Sequence, residues 1–231
     1  MTGSLVGLGL SVTAFVGSHF LLSSRRVRHT LVAWVGEMAF LGLYSSIALA
    51  TFVWMVEAYA DAPYLELWVP PTALKHLALS VMPIACILVI CGLTTPSPAA
   101  VSLDPQALAQ RAPVGIQKVT RHPVLWGFAL WGVVHLLANG DAASLLLFGG
   151  NTVLALLGAL HIDARKHVLL GHHWQRFAAA TSFVPLAALI DGRARLSIGE
   201  IGWWRIGLGV ALYALLIVAH PWLFGIAVWP L

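Results

Sequence analysis

Charged residues are scarce in this sequence. Of its 231 residues, only 10% are Asp, Glu, Lys or Arg, whereas 59% are hydrophobic and the mean hydropathy is +0.86. A soluble domain of this size needs more polar surface, so the composition excludes the ordinary soluble classes. The apolar runs continue for roughly twenty residues, without the alternation typical of barrel strands. The sequence therefore predicts an all-α, polytopic membrane protein with the lipid bilayer as its principal partner.

Cysteines and the motifs of soluble catalysis are also scarce. The two cysteines, Cys86 and Cys91, stand five residues apart on one predicted helix, point about 140° apart and cannot form a disulfide with each other. The sequence has no G-x-S-x-G, P-loop, Rossmann or H-E-x-x-H motif. Its basic residues lie in short loops between predicted spans, so we expect no nucleic-acid partner.

The apolar runs predict six membrane spans within a single domain covering residues 1–231. The tripeptide "NGD" joins the fourth and fifth spans, and these turn-forming residues predict a tight helical hairpin. The predicted spans are residues 3–22, 32–60, 74–93, 123–138, 142–162 and 203–220.

The placement of Lys and Arg predicts the orientation. Of the 13 such residues, all but Lys75 fall in loops on one side, which the positive-inside rule identifies as cytoplasmic. Both termini then lie outside, and a bacterial inner membrane is the expected location. The longest cytoplasmic segment is 163–202, where Leu170, Trp174, Phe177 and Thr181 recur at helical spacing. This pattern predicts an amphipathic helix at the membrane surface.

Two histidines stand near the ends of "VTRHPVLWGFALWGVVHLLANGD", residues 119–141. His122 and His135 are thirteen residues apart, which is about 20 Å of rise and about 140° of turn on one helix. A single metal therefore cannot bind both from one straight helix. His122 lies at the cytoplasmic mouth, where it contacts either headgroups or a ligand. His135 lies nearer the outside, as a ligand-binding residue or as a donor to another helix.

A third histidine and an acid are predicted at matched depth on the first two spans. His19 and Glu37 each lie about 10 Å inside the membrane from the cytoplasmic side. A carboxylate at that depth could orient the imidazole. The alternative is that each side chain faces a polar gap or bonds to a backbone carbonyl.

Several short motifs, in this order and spacing, resemble the NnrU family over nearly the whole chain. The family includes bacterial proteins linked to nitrite and nitric oxide reduction, and a plant carotene isomerase that uses haem b. The resemblance implies haem b bound by His19 and His135, and an accessory or redox role in denitrification. The alternative that it implies is haem-dependent isomerisation of a lipophilic polyene. The motifs are "GSHFLLSSRRVR", "GEMAFLGLYSSIAL", "TRHPVLWGFALWGVVHLLANGD", "HIDARKHVLLGHHWQRFAAATSFVPLAAL" and "AHPWLFG".

Two features qualify what the resemblance implies. The isomerase has a cysteine three residues before its second histidine, where this chain has Gly132, and this difference favours the accessory role. The predicted spans also place His19 and His135 about 10 Å apart in depth, whereas two axial ligands of one iron lie close together. His19 with His122 is a depth-matched alternative pair.

The start of the hairpin also resembles the isoprenylcysteine carboxyl methyltransferase superfamily. These membrane enzymes bind S-adenosylmethionine at the cytoplasmic end of such a hairpin. The resemblance implies that Arg121, His122, Asp163 and His173 are the counterparts of the binding residues. A methyltransferase is therefore the third functional hypothesis.

Overall fold

A computed structural model describes residues 3–102 and 104–228. Over these residues the protein is helical, and the only β pairing within them is an isolated bridge between Glu66 and Asp141. A 3₁₀ turn covers Gly115–Lys118. The helices are α1 Leu5–Ser23, α2 Arg25–Val35, α3 Glu37–Ala60, α4 Thr72–Thr94, α5 Pro105–Gln110, α6 Pro123–Asn139, α7 Ala142–Leu170, α8 His172–Ala179, α9 Ala187–Ile190, α10 Ile198–Ile201 and α11 Trp203–Phe224.

Five of these helices, α1, α3, α4, α7 and α11, are long and apolar enough to cross a membrane. The remaining predicted span, the fourth, is α6, which is apolar but has only 17 residues. That length is at the lower limit for a span, since it rises about 25 Å. The prediction of a polytopic helical bundle is confirmed. The "NGD" turn is also confirmed, because Gly140 ends α6 with φ +76° and the Asp141 side chain caps α7.

The predicted second span, residues 32–60, is wrong at its beginning. Gly36 has φ +82°, a left-handed conformation that favours glycine, and it divides the segment into α2 and α3. No side chain of α2 is buried, and Trp34 is 78% exposed. The arginines at its beginning and the apolar residues at its end are typical of a helix lying in the membrane interface.

The predicted amphipathic segment after the fifth span also differs from the structure. Helix α7 continues to Leu170 instead of ending at residue 162, and Gly171 separates it from α8. Trp174 and Phe177 are buried against Leu170, Ala99 and Ala109. The apolar face of this segment is therefore covered by the protein's own loop between α4 and α6, and not by lipid.

The long helices pack in the order α11, α4, α6, α7, α1, α3. A glycine stands at the contact between each of the first four neighbouring pairs, where a Cβ would overlap the facing helix. These contacts are Gly209 to Ile87, Gly127 to Ala85, Gly132 to Phe148 and Thr152, and Gly150 to Val12. Because no hydrophobic force drives helices together in lipid, such close backbone contact is the main source of attraction.

One end of the bundle gathers the charged side chains. We call it the basic end and define it by Arg28, Arg121, Arg165 and Arg205. There Arg28 pairs with Glu37, Lys118 pairs with Glu200 at 2.5 Å, and Arg205 donates to the Thr94 hydroxyl at 3.0 Å. This clustering agrees with the charge asymmetry of the sequence. The opposite end holds the turn between α6 and α7.

Candidate functional site

His135 lies on α6, one turn from the end opposite the basic end. Its Nδ1 donates to the carbonyl of Trp131 at 2.8 Å. Its ring stacks on Phe148 with centroids 5.0 Å apart and lies 5.4 Å from the Trp131 ring. Donation from Nδ1 fixes the neutral tautomer whose lone pair is on Nε2. The Nε2 atom is therefore the ring nitrogen that can bind a metal.

His19 on α1 has the same local arrangement. Its Nδ1 donates to the Phe15 carbonyl at 2.7 Å, and its ring contacts Phe15 and Tyr44 edge-on. The predicted partner, Glu37, does not contact it. Because Gly36 breaks the helix, Glu37 lies at the beginning of α3 and pairs with Arg28. The hypothesis that Glu37 orients His19 is therefore wrong, and the alternative of a backbone carbonyl is the one observed.

The depths of His19 and His135 follow from the register of α1 on α7. Gly150 faces Val12, and His161 Nε2 lies 3.1 Å from the Ser23 carbonyl. Both contacts join residues 138 apart, so α1 and α7 run parallel and His19 is level with residue 157. His135 is level with Phe148, nine residues away along α7. The rise between the two Cα levels is about 13 Å. Each ring reaches back toward the N-terminus of its own helix, to the carbonyl four residues earlier, and since α1 and α6 run antiparallel the two rings approach each other in depth.

His122 lies at the basic end and is the most thoroughly enclosed of the three histidines. Its side chain is only 2% exposed, and its Nε2 lies 2.6 Å from Asp163 Oδ1. Arg121 Nε reaches the same carboxylate at 2.9 and 3.1 Å. Asp163 on α7 therefore holds two neighbouring residues at the beginning of α6. It also engages His122 Nε2, one of the two ring nitrogens through which an imidazole can bind a metal.

Main-chain bonds fix this cluster from a third side. Arg121 N–H donates to the Ser182 carbonyl at 2.9 Å, and the Thr120 hydroxyl donates to the Phe183 carbonyl at 2.8 Å. Trp126 Nε1 donates to the same Phe183 carbonyl at 2.8 Å. The segment after α8 thus closes over the mouth of the hairpin.

A cavity of about 630 Å³ adjoins His122 and Arg121. One wall is the last turn of α4 and the loop after it, and the other is the beginning of α6. It mixes apolar side chains with hydroxyl and amide groups, which suits an amphipathic ligand. The lining residues include Gly92, Leu93, Thr95, Ser97, Gln117 and Val124.

Three of the four counterparts suggested by the methyltransferase superfamily meet here. Arg121, His122 and Asp163 form the cluster beside the cavity. His173 does not join them, because it lies on α8, where its Nδ1 accepts from Arg176 Nη2 at 2.8 Å. The sequence signal for the cluster was the hairpin itself, since a tight turn at 139–141 sets the beginning of α6 against the far part of α7.

Metal sites of the usual protein kind are not found in the described ranges, which contain no group of three or more His, Cys, Asp or Glu side chains. Cys86 and Cys91 are both free and buried within α4.

The profile of the NnrU protein family matches residues 7–228. The chain belongs to the NnrU family. Together with the apolar helices, this makes it a membrane protein of that family.

Two curated relatives are chloroplastic 15-cis-zeta-carotene isomerases. The one from Zea mays is 34% identical over 82 residues, which is 36% of this chain and 22% of the relative. The one from Arabidopsis thaliana is 32% identical over 79 residues, which is 34% of this chain and 22% of the relative. The similarity to these NnrU relatives thus spans about a fifth of their length. No solved structure matches the chain.

Proposed function

We propose that this NnrU protein binds haem b in a bacterial inner membrane and supports nitrite or nitric oxide reduction in an accessory or redox role. The observation that carries the proposal is the hydrogen bonding and aromatic packing of the His135 ring. Its Nδ1 is held by the Trp131 carbonyl, which leaves Nε2 for iron, and its ring lies between aromatic side chains. A fixed tautomer and orientation are what haem-ligating histidines require.

We take His135 as the first haem ligand because Phe148 stacks on its ring, and His19 as the second candidate ligand. The Cα levels of the two residues differ by about 13 Å, and each ring is held by a carbonyl of its own helix on the side that faces the other histidine in depth. When bound, haem supplies a redox-active iron. The protein's part is to orient the imidazole, through Trp131, and to exclude water with the surrounding aromatic rings.

The two curated relatives are named as carotene isomerases, which supports a second candidate function, the isomerisation of a double bond in a lipophilic polyene. The isomerase pattern has a cysteine where this chain has Gly132. A Cβ at Gly132 would lie 2.9 Å from the Phe148 carbonyl oxygen and would overlap the Thr152 hydroxyl. A cysteine would require α6 and α7 to separate. This packing favours the accessory or redox role over the isomerase.

The third candidate, a methyltransferase using S-adenosylmethionine, is supported by the cluster beside the 630 Å³ cavity. Asp163 orients His122, and Arg121 balances the charge of that carboxylate. His173 stays outside the cluster, which counts against the candidate. Calorimetric titration with S-adenosylmethionine tests it directly, and no heat of binding at millimolar ligand would refute it.

Absorption spectroscopy tests the haem proposal. The protein is purified in mild detergent after haem-supplemented expression, and its spectrum is recorded oxidised and reduced. We expect a Soret band that is lost or shifted in His135→Ala and kept in the control His76→Ala, whose side chain is exposed near the beginning of α4. His19→Ala and His122→Ala complete the series. No Soret band in the wild type, or a normal band in His135→Ala, would contradict the assignment.

Two activity measurements separate the first two functions. A strain lacking the gene should reduce nitrite or nitric oxide more slowly if the accessory role holds. Chromatography of a cis-polyene incubated with the reduced, haem-loaded protein should then show no new isomer. Formation of the isomer, with nitrite and nitric oxide reduction unchanged in the deletion strain, would replace the first function with the second.

A further inference from the structure

A second cavity, of about 330 Å³, lies at the basic end between the end of α1 and the side of α7. Six residues line it, three from the junction of α1 and α2 and three from α7. They are Ser24, Arg25, Arg26, His161, Ala164 and Arg165. The lining residues thus include three arginines, a histidine and a serine, and no acidic residue.

The Arg165 side chain carries an unpaired donor at this place. Its Nε is buried and has no hydrogen-bond partner among the described residues. Buried polar atoms in native proteins nearly always have a partner, and an exception points to a water, an ion or a ligand. Arg165 thus brings an unsatisfied N–H group to the wall of the cavity.

The acidic residues nearby are already used by other partners. Glu37 pairs with Arg28, and Asp163 is shared by Arg121 and His122. The protein therefore does not balance the charges of Arg25, Arg26 and Arg165 through an observed ion pair. An anion is the ligand that this charge selects, and a phosphate group offers several acceptor oxygens to guanidinium donors.

The surroundings of the cavity select an anion that carries acyl chains. The cavity lies at the ends of two membrane-spanning helices, beside the interfacial helix α2. On the membrane side of it, Leu21 on α1 is 60% exposed and Leu160 on α7 is 50% exposed. Basic pockets between helices at this depth are typical binding sites of anionic headgroups.

We propose that this cavity binds the phosphate group of an anionic phospholipid, with Arg165 as the central ligand and Arg25 and Arg26 as the outer ones. The lipid joins α1, α2 and α7 at the basic end. It compensates charges that the protein leaves unpaired. The proposal does not depend on the haem or on the proposed function.

Native mass spectrometry of the purified full chain tests the proposal. The probes are phosphatidylglycerol, phosphatidylcholine and inorganic phosphate, each titrated into the delipidated protein in the same detergent. The test variant is Arg165→Gln. The matched control is Arg195→Gln, which removes the same charge from an exposed position in the loop before α10.

We expect the wild type to retain phosphatidylglycerol in preference to phosphatidylcholine. Arg165→Gln should weaken phosphatidylglycerol binding by about fivefold or more, because each basic residue contributes about that factor near an anionic lipid. Arg195→Gln should leave the binding unchanged. Should Arg165→Gln fail to fold, the double variant Arg25→Gln/Arg26→Gln, at two exposed positions, is expected to give a loss of the same direction.

Three outcomes would overturn the proposal. The first is equal phosphatidylglycerol binding by the wild type and Arg165→Gln. The second is inorganic phosphate binding as tightly as the lipid, which would make free phosphate the ligand. The third is loss of haem absorption in Arg165→Gln, which would assign the cavity to the carboxylates of haem.

Discussion

The two histidines of the α6 region, one at each end of the helix, find their hydrogen-bond partners in opposite ways. His122, at the basic end, is held by Asp163 from another helix, a carboxylate that also pairs with Arg121. His135, thirteen residues later, bonds to a carbonyl of its own helix and packs among aromatic rings. Lipid offers no water to replace a missing partner, so a polar group in the interior must find its partner locally or on a packed neighbour.

Several other polar side chains of the spanning helices are satisfied within their own helix. Each donates to a backbone carbonyl three or four residues earlier, so it places no demand on the neighbouring helix. The examples are Ser11 to Leu8, Thr13 to Gly9, Asn151 to Leu147 and Thr152 to Phe148. Polar side chains thus cross-link helices at the basic end. In the interior many polar side chains bond within their own helix, and the helices associate through close packing at glycines.

Of the variants that test this comparison, Asp163→Ala is expected to lower the stability of the protein most. The carboxylate is 16% exposed and holds both His122 and Arg121. Its removal leaves a partly buried guanidinium unpaired, so we expect a loss of about 3 kcal/mol of stability. Thermal unfolding in detergent measures it, with an expected drop in melting temperature of about 6–12 °C.

The matched control is Asp191→Ala. Its pair with Arg193 is exposed on both sides, at 53% and 38%, and is worth less than about 1 kcal/mol. Equal melting temperatures for the two variants would mean that the Asp163 cluster does not cross-link the basic end.

A smaller effect is expected in the interior from Gly132→Cys. Its side chain would collide with Thr152 and the Phe148 carbonyl, so α6 and α7 must shift, at a cost of about 2 kcal/mol. Gly158→Cys is the control, because nothing lies within 4 Å of a Cβ at that position. Should both variants unfold at the wild-type temperature, the close contact of α6 with α7 would not be what holds the interior.

The smallest effect is expected at the exposed edge of the basic end. The Lys118 ammonium lowers the pKa of Glu200 from its ordinary value of 4.5. The pair therefore stabilises the folded protein above that value and ceases to do so as the pH falls through the lowered pKa. Glu200→Gln should melt slightly below the wild type at pH 7 and together with it once the pH is below the lowered pKa. A difference that persists at low pH would assign the effect to something other than this ion pair.

Hydropathy and turn chemistry predicted most of the fold. The apolar runs gave the spanning helices, and Asn139, Gly140 and Asp141 predicted the hairpin that brings Asp163 to His122. The break at Gly36 was missed because both flanks are apolar and hydropathy does not detect a backbone dihedral. The signal available was a glycine followed by an acid, a common end of one helix and beginning of the next.

The candidate site was predictable only where local geometry determines it. The rise per residue predicted that His19 and His135 lie about 10 Å apart in depth, and the register gives about 13 Å. The partner of His19 was not predictable, because a bond to a carbonyl four residues earlier leaves no pattern in the sequence. The cavity at Arg165 was also missed, since it depends on how α1 packs against α7, 138 residues later.

That spacing has a consequence for biosynthesis. Val12 meets Gly150 and Ser23 meets His161, so α1 finds its second neighbour only after α7 has left the ribosome. At ordinary elongation rates the wait is on the order of 10 s. Through that interval α1 and α3 must stay in the bilayer as a hairpin, with Arg25 and Arg26 at one surface of the membrane. Arg25 and Arg26 thus anchor the nascent hairpin of α1 and α3 at the membrane surface before α7 packs against it.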